Sequence, residues 1–339
     1  MWRKLLLLIT TTWMISSTNS AIMQCQWSGD VCQNVLAFTP VTQVNEMITV
    51  YGQPVGYVNT LTNNMALTNF FLKYVPTNIF STFTGIKWFS MTNCSTTALM
   101  TDSFKNCASM ESFSISGGNI PYVSEGIAQT CINIKSVWLR SNNIEAIDKN
   151  AFKGLVNLNM IELTYNKLTC LQPDVFQTSP LLQNIFLEYN AIAGIDRNLF
   201  RGLKYLLNVY LSYNMIRYLP TLNLTQDNAN AMGISLYRNP IIAIKPDFCS
   251  SFATRSASYN DLINLKNYND PVNIPCLPAG STFNQITKWN CASSVSILQS
   301  CYNNYTAAMP DLVSCELNPV CVPGSVWYKL IDFLRTLSF

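Results

Sequence analysis

The chain has 339 residues; 49% are apolar, 12% aromatic and only 12% charged, with 12 cysteines and no histidine. Average soluble domains carry roughly 25% charged residues, and a formal net charge of +3 is no electrostatic footprint for a nucleic-acid partner. The missing histidine excludes Ser-His-Asp and Cys-His catalysis and metal sites with imidazole ligands.

Residues 1–20 read MWRKLLLLITTTWMISSTNS. Arg3 and Lys4 precede an apolar run, and Thr18 and Ser20 stand at the spacing a signal peptidase reads, so this segment is expected to be a secretory signal peptide. The run is too short and too interrupted by threonines to span roughly 30 Å of hydrocarbon. Arg3 and Lys4 leave with it, so the 21 cations fall to 19 against 18 acids, a net charge of +1. All 12 cysteines follow the signal, and an even count in an exported chain predicts disulfides. Sequons at Asn93, Asn223 and Asn304 agree with export. The last stretch, 326–339, is apolar but holds Lys329, Asp332 and Arg335, so no membrane span is expected and the mature product is expected to be released, secreted and extracellular.

A repeat governs residues 62–249. Residues 134–155 read IKSVWLRSNNIEAIDKNAFKGL, residues 182–203 read LQNIFLEYNAIAGIDRNLFRGL, and three further segments share L-x-x-L-x-L-x-x-N-x-I-x-x-I. Its asparagines fall at Asn142, Asn166, Asn190, Asn214 and Asn239, spaced 24, 24, 24 and 25. The frame extends backwards with Gly118, Cys94 and Phe70 in the Asn slot, giving about eight repeats. This pattern resembles the leucine-rich repeat family in its extracellular 24-residue form, as in the ectodomains of Toll-like receptors and short secreted insect proteins. The insect proteins' C-terminal coiled coil is absent, because residues 250–339 show no heptads.

The x-L-x-L-x stretch alternates with period two and predicts a short strand with one buried face. One repeat cannot bury its leucines alone, so neighbours must stack. The expected architecture is an α/β solenoid, a horseshoe with a parallel concave sheet on the order of 35 Å long at about 4.8 Å per strand. The Asn side chains should be buried at the strand exits, where the amide both donates and accepts. Phe80, Phe104, Phe152, Phe176 and Phe200 recur in one slot and should form a spine on the convex side.

The solenoid's ends need covers. The chain divides into a signal (1–20), an N-terminal cap (21–61), the repeats (62–249) and a cysteine-rich C-terminal cap or module (250–339). A Cys25–Cys32 bridge is expected in the first cap. Cys249 and Cys276 are disulfide candidates among the six C-terminal cysteines, whose connectivity stays open. Trp327, Leu330, Ile331, Leu334 and Leu337 follow helical spacing, either on the tail's own core or toward a partner. Cys94, Cys107, Cys131 and Cys170 lie inside the repeats. Cys107 and Cys131 share a slot and either bridge or fill leucine positions as free thiols.

On the concave face the charged positions are Lys87, Glu111, Lys135, Arg140, Glu162, Glu188 and Arg238. Four cations against three anions make no single-sign field, which argues against nucleic acid or heparin. The aromatic positions are Trp88, Trp138, Tyr165, Phe186, Tyr189, Tyr210, Tyr213 and Tyr237. Aromatics concentrate at binding hot spots, so Trp138, Tyr165, Phe186, Tyr189, Tyr210, Tyr213 and Tyr237, with Arg140 and Glu188, are the ligand-binding candidates. Tyr165, Tyr189 and Tyr213 share one slot and form either a contact surface or repeat scaffolding. No metal-ligand or phosphate-loop pattern is present, and neither cofactor nor catalysis is expected. The resemblance implies a secreted binding protein that recognises a protein or microbial surface ligand through its concave face, with innate immunity among the roles. A matrix component, or a receptor ectodomain lacking its membrane segment, are the alternatives.

Overall fold

Alternating strands of five residues or fewer dominate the computed structural model. It describes residues 61–100, 103–216, 218–224, 233–236, 238–239 and 243–244, and the backbone of strands at 20–28, 31–37 and 47–51. Expectations for the signal segment, for a Cys25–Cys32 bridge, for Tyr237, for Cys249, Cys276 and Asn304, and for the tail helix lie outside the described residues.

The concave sheet contains β4 (Asn64–Thr68), β5 (Trp88–Thr92), β6 (Ser112–Ser116), β8 (Ser136–Trp138), β10 (Met160–Glu162), β11 (Asn184–Phe186), β12 (Asn208–Tyr210) and β14 (Gly233–Ser235). These eight strands pair in parallel, each in register with its neighbour, and the solenoid makes seven turns between the first and the last. Register advances by 24 residues per turn, and by 25 from Asn208 to Gly233. The N-terminal edge does not end at β4. There β2 (Val31–Ala37) pairs in parallel with β4, and β1 (Ser20–Ser28) pairs antiparallel with β2 and parallel with β3 (Met47–Tyr51). A sheet edge carries unpaired backbone groups that invite another strand; these three strands move that edge outward.

On the other side of the turns the chain makes two smaller parallel pairs. β7 (Tyr122–Val123) lies beside β9 (Ala146–Ile147), and β13 (Tyr218–Leu219) beside β15 (Ala243–Ile244). Helix is scarce. Among the described residues only α1 (Ile79–Thr82) is α-helical, so the convex layer is turns rather than helices. The F-x-x-L segments are too short to offset the cost of nucleating a helix.

Between the layers runs one apolar core. The leucine-type slots of every strand are buried, as are all five phenylalanines of the spine. Phe152 and Phe176 stack with ring centres 6.2 Å apart, and Phe80 lies 5.7 Å from Phe104. Buried Ala128 takes the slot between Phe104 and Phe152 and interrupts the spine. Cys107 and Cys131 are bridged, with Cα atoms 5.2 Å apart, so the slot they share is covalently cross-linked between adjacent repeats. Cys170 is also disulfide-bonded.

The asparagines form a polar ladder through this core. The Oδ1 atoms of Asn166, Asn190, Asn214 and Asn239 each accept a 3.0 Å bond from the N–H of Ile144, Leu168, Ile192 and Ile216, one repeat earlier. Their Nδ2 groups donate to carbonyls in that same earlier repeat, Leu139, Leu163, Leu187 and Leu211, at 2.8–3.0 Å. Buried backbone groups at the turns are thereby satisfied. Cys94, in the same slot, is a free thiol that does half of this work. Its Sγ–H donates toward the carbonyl of Leu67, 27 residues back, at 3.3 Å, the same offset the asparagines use. Burial pushes this thiol's pKa up, against hydrogen bonds from the backbone, which keeps it a protonated donor. Gly118 fills the slot where a Cβ would sit 2.8 Å from both Asn142 Oδ1 and the Thr96 carbonyl.

Candidate binding surface

One backbone feature recurs at the exit of every concave strand. The residue just before the Asn slot is left-handed in all eight repeats: Asn69, Asn93, Gly117, Ser141, Tyr165, Tyr189, Tyr213 and Arg238, with φ between 53° and 67°. That conformation costs a non-glycine residue roughly 1–2 kcal/mol. The cost is met by the ladder: Ser141 N–H donates to the Thr164 carbonyl, Tyr165 N–H to Glu188 and Tyr189 N–H to Ser212, each at 3.0–3.1 Å. Gly117 has a second reason to be glycine, since a Cβ there would fall 2.1 Å from Asn93 Oδ1.

Locking this slot at every turn brings its side chains into register. The rings of Tyr165, Tyr189 and Tyr213 stack with centres 4.3 Å apart at each step and planes within 10° of parallel. The three tyrosines are 45%, 40% and 37% exposed, so the column presents a continuous aromatic ridge to solvent. Arg140 closes one end, its guanidinium carbon 4.9 Å from the Tyr165 ring centre. The flanking rings strip water from the Tyr189 phenol and hydrogen-bond its neutral form, and its pKa is pushed up to about 12. A second column lies three slots earlier along each strand, where Phe186 and Tyr210 stack at 4.7 Å. Trp138 and Glu162 precede them in that column.

Two carboxylates lie on this face, Glu162 in the second column and Glu188 between the columns. Glu162 is buried and accepts a hydrogen bond from the Thr164 hydroxyl. Glu188 is half-buried, and its Oε2 is buried with no hydrogen-bond partner. Desolvation raises the Glu188 pKa and the Glu162 charge acts in the same direction, while Arg140 opposes them. A separate surface ladder runs along the strand entrances, where Glu111 pairs with Lys135 at 2.9 Å and Lys87 at 3.7 Å. The two lysines hold the Glu111 carboxyl below the usual range.

The structure thus brings Arg140, Tyr165, Tyr189 and Tyr213 into one ridge and sets Trp138, Phe186, Tyr210 and Glu188 on the same face. Arg238 occupies the ridge slot after Tyr213. Among the described residues no cluster of Cys, Asp and Glu is arranged to hold a metal ion.

Sequence reasoning from the aromatics did not find a second feature on this face. A hollow of about 360 Å³ lies over β4, β5 and β6, lined by Asn64, Met65, Ala66, Trp88, Phe89, Ser90, Ser112, Ser114 and Trp138. Its cause is an absence of bulk. Ala66, Ser90 and Ser114 occupy one slot on three adjacent strands, and the next residue in that slot is Trp138. The run Ala-Ser-Ser-Trp at 24-residue intervals was the available signal.

Comparison with known proteins agrees with this geometry. Residues 132–192 match the family model "Leucine rich repeat". Among solved structures, the LRIM1/APL1C complex superposes with a TM-score of 0.51 at 16% identity, covering 67% of this chain and 40% of that one. The APL1 leucine-rich repeat domain gives 0.50 at 16% identity, covering 66% and 55%. The TLR13–ssRNA13 complex gives 0.49 at 22% identity, covering 53% and 26%. The chain therefore spans about half or less of the length of these structures. No curated protein sequence matches it. Among the described residues no helix is long and apolar enough to cross a membrane.

Proposed function

Because the chain carries a solenoid of leucine-rich repeats, we propose that it is a secreted binding protein whose concave face recognises a protein or microbial surface ligand. The observation that carries this reading is the exposed, stacked Tyr165–Tyr189–Tyr213 ridge beside the Phe186–Tyr210 stack. Rings already held by stacking lose little freedom on binding and bury large area, the property that concentrates aromatics at interface hot spots. Balanced charge on this face favours contact by shape and ring surface over electrostatic capture of a polyanion. The buried Cys107–Cys131 bridge and the signal-like N-terminus support export to an oxidising compartment. The LRIM1/APL1C structure is a complex of that fold, which makes a protein ligand the first to test; a part in innate immunity is the corresponding biological reading.

The test is affinity capture with the protein and with the Phe186→Ala, Tyr189→Ala, Tyr213→Ala triple variant. Material retained by the first and lost by the second supports the concave reading. Identical capture by both overturns it.

A further inference from the structure

We propose that the hollow over β4, β5 and β6 is a binding site for a neutral hexose ring of a glycan. The site stands apart from the tyrosine ridge, and the proposal does not depend on what docks there.

The lining dictates the ligand class. Among the described residues no charged side chain lines it, so they offer nothing to offset the desolvation of a phosphate, sulfate or carboxylate. What the lining offers is indole at two positions, Trp88 and Trp138, and a floor of hydroxyls. Trp88 is 59% exposed, so its indole is open to a ligand. A pyranose ring has matching halves. Its axial C–H bonds suit the electron-rich face of an indole, and its hydroxyls need partners that both donate and accept, as a serine hydroxyl does. Ser90, Ser112 and Ser114 line the hollow, and Asn64 Oδ1 beside them is buried and unpartnered. A buried polar atom left without a partner costs about 1–3 kcal/mol, and a ligand hydroxyl would relieve it. The volume, about 360 Å³, sits at the small end of ligand sites, which run from about 300 to 1,000 Å³. It suits one or two rings rather than a peptide segment.

The experiment titrates the protein with two neutral probes. Oligomannose released from N-glycoproteins represents a glycoprotein source, and β-1,3-glucose hexamers represent a microbial polysaccharide. Tryptophan fluorescence and saturation-transfer NMR on the sugar ring protons read binding. Saturable binding to at least one probe is expected, and the tighter probe names the source. Trp88→Ala is expected to weaken it at least tenfold, and Ser114→Trp, which fills the floor with a side chain on an already exposed face, to abolish it. Near-UV circular dichroism checks that each variant is folded, and Ser90→Trp replaces either one that is not. Tyr189→Ala with Tyr213→Ala should leave sugar binding unchanged, so the ridge and the hollow fail or succeed separately. Binding of neither probe, or binding undiminished by Ser114→Trp, would overturn the proposal.

Discussion

The guanidinium of Arg140 caps the ring of Tyr165 at 4.9 Å and begins a column that continues through two further tyrosines at 4.3 Å per step. The column's backbone is left-handed throughout, so each ring offsets the strain of its own residue. Tyr189→Ala keeps the strain and loses two stacking contacts, a destabilisation of about 1–2 kcal/mol. Tyr189→Gly loses the same contacts but relieves the positive φ, and should recover roughly 1 kcal/mol of that loss. Urea denaturation of the two variants gives the comparison; a glycine variant less stable than the alanine one would contradict the strain account.

Tyr189 also has a spectroscopic signature. Its pKa is raised to about 12 by desolvation between its neighbours and by hydrogen bonds from Tyr165 and Tyr213. An unfolded tyrosine titrates near 10, so the folded state holds this proton more tightly. The stability it contributes is complete below pH 10 and is lost as pH rises toward 12. Ultraviolet titration should find a late-ionising phenol at Tyr189, and Tyr165→Phe with Tyr213→Phe should bring it back toward the ordinary value.

Glu188 obeys the same sign. Its pKa is raised, chiefly by desolvation, so the carboxyl favours the fold when protonated and that contribution is lost as pH rises through its folded pKa. Glu188→Gln should therefore raise the thermal midpoint at neutral pH and leave it unchanged well below pH 4. An equal shift at both pH values would show that charge plays no part.

Asn166 links three backbone groups of the preceding repeat. Its Oδ1 accepts from Asn142 and Ile144, and its Nδ2 donates to Leu139. Asn166→Ala leaves buried donors and a carbonyl unpaired at about 1–3 kcal/mol each. A loss of about 3 kcal/mol or more is expected, with amide exchange accelerating first at Asn142 and Ile144.

Two kinds of cysteine should separate chemically. Cys94, buried with its pKa raised, should resist alkylation until the protein is denatured. Cys107 and Cys131 should give a single cross-linked peptide by mass mapping. Replacing both with alanine should cost about 3 kcal/mol, the value for closing a loop of this length.

The solenoid and its ladder were legible because they rest on what repeats. Leucine-type slots and Asn142, Asn166, Asn190, Asn214 and Asn239 recur at near-constant spacing, and each marks a fixed position in the turn. Two features were hidden. Asn69, Gly117, Ser141 and Tyr165 share no side-chain chemistry, yet occupy one backbone conformation; apolar periodicity does not register a φ angle. The hollow was hidden because Ala66, Ser90 and Ser114 signal by what they lack, and a search for aromatic hot spots passes over small residues. The convex layer differed for a third reason, since four or five residues between slots leave no room for a helix to propagate.

The Cys107–Cys131 bridge joins positions 24 residues apart, in the turns just before the Asn ladder begins at Asn142. A stack held only by neighbour contacts yields to a pull at its ends one turn at a time, and each freed turn adds its contour to the extension. The bridge withholds one turn from that lengthening. At roughly 3.4 Å per extended residue, about 80 Å of chain stays reeled in however far the rest is drawn out, and reduction would release it as a single added step.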